Sequence, residues 1–572
     1  MKRNEKKDLS RRDFIKTTAV GVGATALTGL SAKEAKAQGP PVNWDKETDV
    51  VVVGTGCGLG AAIEAKRAGA DVLIVEKADH VGGLWIMAGG GSTMGGGTIL
   101  QQRAGVQDTV EQWYQDEMYS NQYRGVPEIM RTLCGRGPDT VLWLENLGLK
   151  WATLGAGALR PPIRRGHSPD LNLAYLGIQP GTGRLSGGIA WTAVMHNECD
   201  KLGIPILLNH RMTRIHRPDM NGPVLGIEVE TPQGTINIKA RKGVVLATGG
   251  WTDNPRMCQA WDPRIVGPDT YGDGGVPGQP PFVESAGDGH LAAAEIGAGF
   301  SDMSFVAYLY IYYGTRAYNG WDPLDWKTQG RQGNSGLHLY NVVNGFQRVI
   351  LVKNDGARWI NEAEAARTGP RGLGGYSENP EWPYPATYLS LPQPRNVWCV
   401  TDADGAAALN WTVDMFTNPN PKAGFCLDPE YLAMADALQQ LASKMGINAT
   451  NLEATLSKYN GFVDAGVDTD FGKPMPLYKI AKPPFFAGKA SLIRHTQRNG
   501  LRVNTKSQVL EQSDQRLGET ASSIDAEKVI PHLYAAGEVG NSLGWRRVHN
   551  SLGHYLTAAL IAGENAAKET SL

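Results

Sequence analysis

Gly54, Gly56, Gly58 and Glu76 are the residues whose types and spacing most directly imply chemistry in this sequence. Gly54 and Gly56 carry no side chain where the chain has to turn sharply, so the backbone can close on a pyrophosphate. An acid about 20 residues beyond such a turn accepts hydrogen bonds from a ribose hydroxyl. The stretch from Asp49 to Gly83 holds the elements that position them. Val50 to Val53 form the continuous apolar run of a buried parallel strand. A helix from about Gly58 to Ala68 aims the positive end of its dipole at the phosphate. Val72 to Val75 make a second strand, which delivers Glu76. A strand–helix turn without a ligand would account for the glycines but not for Glu76. The fingerprint's third glycine belongs at position 59, where Leu59 stands between Gly58 and Gly60. That displacement predicts an altered helix–strand contact, not loss of the ligand.

Further strands are predicted at 205–208, 224–229 and 235–240, followed by the apolar run from Lys242 to Trp251. That run ends in Ala247-Thr248-Gly249-Gly250, which brings the backbone close to a ligand. Ile530 to Val539 repeats the pattern: a strand, then Gly537 and an acid, Glu538, able to bind a polyol hydroxyl. A helix from Leu552 to Ala567 then points its N-terminus at an electron-rich ring oxygen. Between these segments, Phe305 to Trp326 carries tyrosines at 308, 310, 312, 313 and 318. Strand alternation puts Tyr308, Tyr310 and Tyr312 on one face. They can pack a core, or they can wall a pocket for a bulky or aromatic substrate and supply a proton.

The N-terminus is an address, not fold. Ser10-Arg11-Arg12-Asp13-Phe14-Ile15-Lys16 matches a twin-arginine export signal, and an uncharged run from Thr17 to Ala32 follows. Ala35-Lys36-Ala37 offers a cleavage site. The run is too short and glycine-rich for a strong membrane span. This route carries folded proteins, so a cofactor can be loaded in the cytoplasm before export to the periplasm or the cell exterior.

The chain has 572 residues, enough for two domains. A formal net charge of −1 gives no electrostatic case for nucleic acid or acidic membranes. The six cysteines, at 57, 134, 199, 258, 399 and 426, form no C-x-x-C pair, so there is no c-type haem site and no recognisable zinc or iron–sulfur cage. Cys57, inside the glycine turn, reads as packing. Arg164-Arg165-Gly166-His167 reads as a solvated basic loop.

Taken together, the first strand–helix–strand unit, ATGGW at 247–251, SAGDGHLAAAEIGAGFSDM at 285–303, NGLRVNTKSQVL at 499–510 and LYAAGEV at 533–539 resemble the flavoprotein family of fumarate reductases, succinate dehydrogenases and 3-ketosteroid Δ1-dehydrogenases. The resemblance implies an α/β protein, with a Rossmann-like FAD-binding domain and an inserted α+β cap domain. The expected boundaries are 1–37 for the signal, 38–300 and 481–572 for the FAD domain, and 301–480 for the cap. It implies FAD contacts from Gly54, Gly56, Gly58, Glu76, Lys77, Gly83, Thr248, Gly249, Glu538 and Leu552. Quinone-linked members attach FAD through a histidine beside the second glycine turn. Leu84 to Gly97 contains none, so noncovalent FAD is expected. No second fingerprint for a nicotinamide nucleotide is present. Electrons are therefore expected to pass between a small-molecule substrate, the flavin and an external carrier, either a cytochrome or a quinone-linked protein.

The family moves a hydride between the flavin and a carbon–carbon bond next to a carbonyl. That chemistry needs cations or donors for the carbonyl and one proton donor. The family's R-F-V-N-E-x-x-x-R segment resembles Arg358-Trp359-Ile360-Asn361-Glu362, with the second arginine one position late at Arg367. Its H-H-T-x-G-G resembles the segment around His495, and its N-R-L-G-G-N the segment around Arg546 and Arg547. Arg358, Arg367, His495, Arg546, Tyr310 and Tyr312 are the catalytic candidates. The altered spacings argue against a small dicarboxylate. Phe486 stands where steroid dehydrogenases carry a tyrosine, which argues against a strict Δ1-dehydrogenase. The expectation is an exported enoate or enone reductase acting on a bulky or aromatic substrate. The alternatives are a dehydrogenase of cyclic ketones or 3-ketosteroids, and a flavin electron-transfer subunit without its own substrate.

Overall fold

The apolar runs build a parallel sheet in the computed structural model. It describes residues 42–572 except 122, 124, 156–162, 179–186, 268, 273–284, 302, 304–305, 315–344, 366–383, 420–426, 498, 513–522 and 541–551. Strands β1 (Lys46–Val53), β2 (Val72–Val75), β6 (Ile206–Leu207), β7 (Arg211–His216), β8 (Gly226–Thr231), β9 (Gly234–Leu246), β16 (Gln508–Leu510) and β17 (Val529–Ala535) form this first sheet. Its central order is β16-β17-β9-β1-β2-β6. β1 runs parallel to β2 and to β9, and β17 parallel to β9, so their C-terminal ends share one edge. Val50, Val51 and Val52 are wholly buried, as are Val244, Val245 and Leu246 beside them. Each such side chain contributes roughly 1.5–3 kcal/mol of burial, and both faces must therefore be covered.

Helix α1 (Gly58–Arg67) leaves the end of β1. It packs against the C-terminal helix, Leu552–Lys568, whose small residues allow a very close crossing. A Cβ at Gly563 would collide with the carbonyl oxygen of Ala61, and one at Gly60 would lie 2.5 Å from Leu556 Cδ1. A Cβ at Gly58 would lie 3.0 Å from both Val52 and Ala247. Gly58 thus provides the close helix–sheet approach that the fingerprint assigns to position 59. Leu59 is free to be a wholly buried core residue.

The second sheet comprises β10 (Thr270–Gly272), β11 (Val306–Tyr313), β12 (Ile350–Val352), β13 (Trp398–Thr401), β14 (Leu432–Ala435) and β15 (Phe485–Gln497). β15 is its hub, pairing with β10, β11, β13 and β14. Two segments expected in the FAD domain, 270–272 and 485–497, therefore belong to this sheet. The chain crosses between sheets inside the boundaries drawn at 300 and 481. Val42–Leu572 is one compact unit carrying both sheets.

β11 is a strand, as its tyrosines predict. Tyr308 pairs with Arg494 and Ile311 with Leu492, so three steps on β11 oppose two on β15. The pairing of β11 with β15 is therefore irregular between Ala307 and Ile311.

A third, small sheet joins β3 (Ser92–Thr93), β5 (Gly166–Pro169) and β4 (Trp151–Gly155). Beside it, Arg165 is wholly buried, which corrects the solvated-loop reading. Its guanidinium donates to Asp108 at 2.7 and 2.6 Å and to Asp116 at 2.7 Å. Asp116 belongs to helix α2 (Val110–Ser120). Two carboxylates and satisfied donors are what a buried guanidinium requires.

Substitutions at two glycines separate crowding from helix propensity. Gly563→Ala gains up to about 1 kcal/mol of propensity but forces a backbone collision that costs about 1–3 kcal/mol. Its midpoint in urea should fall. At Gly461, inside the helix Ala449–Ala465, nothing lies within 4 Å of the position an added methyl would take. Gly461→Ala should raise the midpoint.

Candidate active site

The carboxyl ends of β1, β2, β9 and β17 converge on two glycine turns. Gly54 has φ +102, and a Cβ there would collide with the carbonyl oxygen of Ala247. Only glycine lets the first turn lie against the Ala247-Thr248-Gly249-Gly250 turn. Glu76 is buried and fixed. It accepts from the Thr55 amide at 3.0 Å, the Thr55 hydroxyl at 2.5 Å and the Ala78 amide at 3.0 Å. The Thr55 hydroxyl also accepts from Gly82 N at 2.8 Å, tying the first glycine turn to the one at Gly82-Gly83. Sequence reasoning missed Thr55, although it lies inside the fingerprint. Cys57 caps α1, and burial pushes its thiol up to about 12, consistent with packing.

The second turn leads into a short 3₁₀ helix, Gly83–Met87. There Trp85 covers the first turn, with its Cδ1 2.9 Å from a Cβ position at Gly56. A methyl at Gly83 would meet open space. Lys77 is drawn to Asp288, with Nζ to Oδ2 at 3.0 Å, and Arg211 reaches the same carboxylate at 2.7 Å. Burial raises the Asp288 carboxyl, but these two cations outweigh it and hold it below the usual range. Asp288 opens helix α3 (Asp288–Glu295) beside the ATGG turn, where Gly287 N donates to Gly250 O at 2.9 Å.

On the other side, Glu538 follows β17, and Thr496 of β15 donates to its carboxylate. A Cβ at Gly250 would meet Glu538 Oε2 at 2.6 Å and collide with the Gln497 amide. Leu501 N donates to Val539 O at 2.7 Å, locking this segment down. Leu552 begins the C-terminal helix, and Gly553 N donates to Ser92 Oγ at 2.9 Å. Gly249 has φ +71 and open space beyond it. Around this junction several buried polar atoms have no protein partner: Thr248 Oγ1, Gln497 Nε2, Thr252 Oγ1, Trp251 Nε1 and both nitrogens of His290. Unpaired buried groups at a turn of this kind fit a polar ligand that completes them. Gln497, which sequence reasoning did not single out, is among them.

The catalytic candidates separate. His495 lies on β15 beside Thr496, and the neighbouring pairs Arg494–Tyr308 and Thr496–Ala307 set it next to β11 in register. Tyr310 and Tyr312 lie on β11, the latter opposite Ser491. Arg367 and Arg546 fall outside the described residues. Arg358 is placed differently from the expectation of a substrate contact. Its Nε and Nη2 hold both oxygens of Glu362 at 2.9 and 2.7 Å, and Nη2 reaches Asp468 at 2.9 Å. Lys473 completes this buried cluster at 3.3 Å from Glu362. Burial pulls the Lys473 ammonium down to about 8 against the pull of Glu362. Such a cluster anchors the chain around Arg358 and Glu362. Phe486 is buried in the core beneath the second sheet, its ring centroid 5.0 Å from that of Phe416. Among the described residues no group of His, Cys, Asp or Glu could hold a metal ion, and no helix is long and apolar enough to cross a membrane. The five described cysteines are free and buried.

A parallel sheet whose glycine turns, buried acid and unpaired polar groups meet at one edge defines a dinucleotide-binding flavoprotein. The family described as FAD binding domain, FAD_binding_2, matches residues 49–551, and the chain belongs to it. Residues 8–28 match the twin-arginine translocation signal. The chain is similar to a probable fumarate reductase, Ifc3, of Shewanella frigidimarina, with 28% identity over 94% of this chain and 77% of that protein. It is 26% identical to a urocanate reductase of Eggerthella lenta, over 98% of this chain and 81% of the relative. The open conformation of a flavocytochrome c3 fumarate reductase superposes with a TM-score of 0.66 at 25% identity, covering 99% of this chain and 83% of that one. The protein is an FAD-dependent oxidoreductase exported by the twin-arginine route.

The buried histidines give a pH test. Burial lowers the His290 pKa from 6.5 to about 3 and that of His167 to about 4. The unfolded chain takes up protons below 6.5 that the folded one refuses, so stability present above that pH is lost as pH falls towards 3. The slope is at most about 1.4 kcal/mol per pH unit for each group. His290→Phe should flatten the dependence of the urea midpoint on pH between 6.5 and 4.

Proposed function

We propose that the protein reduces a carbon–carbon double bond conjugated to a carbonyl, with N5 of the bound FAD supplying the hydride to the β-carbon. The first sheet is the FAD domain and the second the cap. Gly54, Gly56, Gly58 and the start of α1 would hold the pyrophosphate; Glu76 and Thr55 would hold the adenosine ribose. Gly83, Thr248, Gly249, Lys77 and Glu538 would line the rest of the cofactor. The amides at Leu552, at the positive end of the last helix, would stabilise negative charge on the flavin. FAD is held noncovalently.

The observation that carries this reading is the path of β15. It runs from Phe485 in the cap core to Thr496 against Glu538 in the FAD site, and it sets His495 beside the tyrosine strand at the junction. His495, with Tyr310 or Tyr312, supplies the proton to the α-carbon and a donor to the carbonyl oxygen. Arg367 and Arg546 provide the cations that orient the carbonyl or carboxylate. Arg358 is an anchoring residue, because Nε and Nη2 of its guanidinium are held by Glu362 and Asp468. The tyrosine-rich strand favours a bulky or aromatic acceptor over a small dicarboxylate. Electrons reach the flavin from a separate carrier, a cytochrome or a quinone-linked protein.

The test is anaerobic reoxidation of the reduced holoenzyme by a panel of enoates and enones. An aromatic enoate or a bulky enone should reoxidise it, and His495→Asn should slow that step by roughly 100-fold or more while FAD stays bound. Reoxidation by none of them would reject the reading. Bleaching of the oxidised protein by saturated cyclic ketones would put dehydrogenation in its place.

A further inference from the structure

Five arginines and lysines are buried among the described residues: Arg165, Arg358, Arg395, Lys473 and Arg494. Four of them hold a carboxylate. Arg165 pairs with Asp108 and Asp116, Arg358 with Glu362 and Asp468, Arg395 with Asp269, and Lys473 with Glu362. Arg494 forms no ion pair with a described residue. Its Nε donates to Thr252 O at 2.7 Å and its Nη1 to Ile265 O at 2.6 Å, with Thr270 O and Oγ1 each 3.3 Å from Nη1. Nη2 makes no bond to a described residue. It is also not sealed in, whereas Arg358 Nη1 and Arg395 Nε are closed off without a partner.

A guanidinium can serve as a strut between carbonyl oxygens, and these bonds do brace β15. Carbonyls do not cancel its charge. A charge taken out of water is costly unless an opposite one accompanies it, and the other four buried cations follow that rule. The position of Arg494 supplies the rest. Side chains alternate along a strand, so Arg494 shares with Thr496 the face that meets Glu538, about 7 Å along β15. Thr252, which takes the Nε bond, lies two residues beyond Gly250, where an added Cβ would meet Glu538 Oε2. The unpaired guanidinium thus stands where β15 meets the glycine turns.

We infer that Arg494 is the counter-ion for a carboxylate on the acceptor, so that the acceptor is an enoate and not an enone. Nη2 donates to a carboxylate oxygen, and the bonds of Nε and Nη1 hold the guanidinium still for it. A bound carboxylate compensates the isolated charge; a neutral ketone or amide leaves it isolated. This rests on the reading that the acceptor is a double bond conjugated to a carbonyl, and it chooses within that reading.

The experiment pairs enoates with their uncharged amides on the FAD-loaded protein: acrylate, crotonate and cinnamate, each against its amide. Binding is read from the flavin absorbance of the oxidised protein, and turnover from anaerobic reoxidation of the reduced protein. At least one acid should bind about 10-fold or more tightly than its amide. Arg494→Gln should abolish that preference with FAD retained, and Arg494→Lys, which keeps the charge, should restore part of it. If Arg494→Gln loses FAD, a crystal structure of the wild-type holoenzyme with the tightest acid decides. A carboxylate seated on Nη2 upholds the inference, and any other seat overturns it. Acids and amides that bind alike, or a preference unchanged in Arg494→Gln, would overturn it too. Chloride or acetate binding as tightly as the enoates would make this a seat for any small anion and overturn the assignment to the acceptor. Reoxidation by enones alone would overturn the inference and leave the reductase reading standing. An Arg494-dependent preference without reoxidation by any acid would uphold the carboxylate seat and reject the reading.

Discussion

The close approach of Gly54 to the carbonyl of Ala247 is the constraint on which the site depends. It exists because β1 and β9 run parallel and end together, with Ala247 N donating to Val53 O at 2.8 Å. Parallel strands bury both faces, and the unbroken valine runs satisfy that requirement. At the edge where they end, backbone amides, a helix N-terminus and a buried acid can face a single ligand. A side chain at Gly54 would push the two turns apart. Thr55, Glu76 and Gly82 then brace the same edge through hydrogen bonds that do not involve the ligand.

The second sheet meets that edge through β15. β15 is paired on both sides over most of its length, so it is a rigid arm, and its end is fastened through Thr496 to Glu538. Arg494 reinforces this, donating to the carbonyls of Thr252 and Ile265 at 2.7 and 2.6 Å. A site borne on a braced strand keeps its geometry better than one borne on a loop. The ion cluster of Arg358, Glu362, Asp468 and Lys473 does the same for the chain that leads to Arg367. Burying four charges is costly, and their placement there links β12, through Leu351 N on Glu362, with the helix Ala449–Ala465, through Tyr459 beside Lys473 and Arg358.

What was legible in the sequence was local. β1, α1 and β2 lie where the apolar runs and glycines put them, because a buried parallel strand and a helix start write their requirements into adjacent residues. The last helix starts at Leu552 as expected. What was not legible was pairing over distance. Arg165 read as surface because its partners, Asp108 and Asp116, are 57 and 49 positions away. Arg358 read as catalytic from a local motif, while Asp468, which helps to hold it, is 110 positions off. The place of β15 in the second sheet was not legible because sheet membership depends on four partner strands. Gln497 and Thr55 were visible as residues, but only the folded junction brings their polar groups to the glycine turns.

The central claim is that the braced edge holds one FAD, without a covalent bond, as the redox group of the enzyme. Acid denaturation of the purified mature protein, followed by separation of the supernatant and the precipitate, tests it directly. Release of one FAD per chain into the supernatant, with a colourless precipitate, is the predicted result. FMN in the supernatant, or flavin that stays with the precipitated polypeptide, would contradict it.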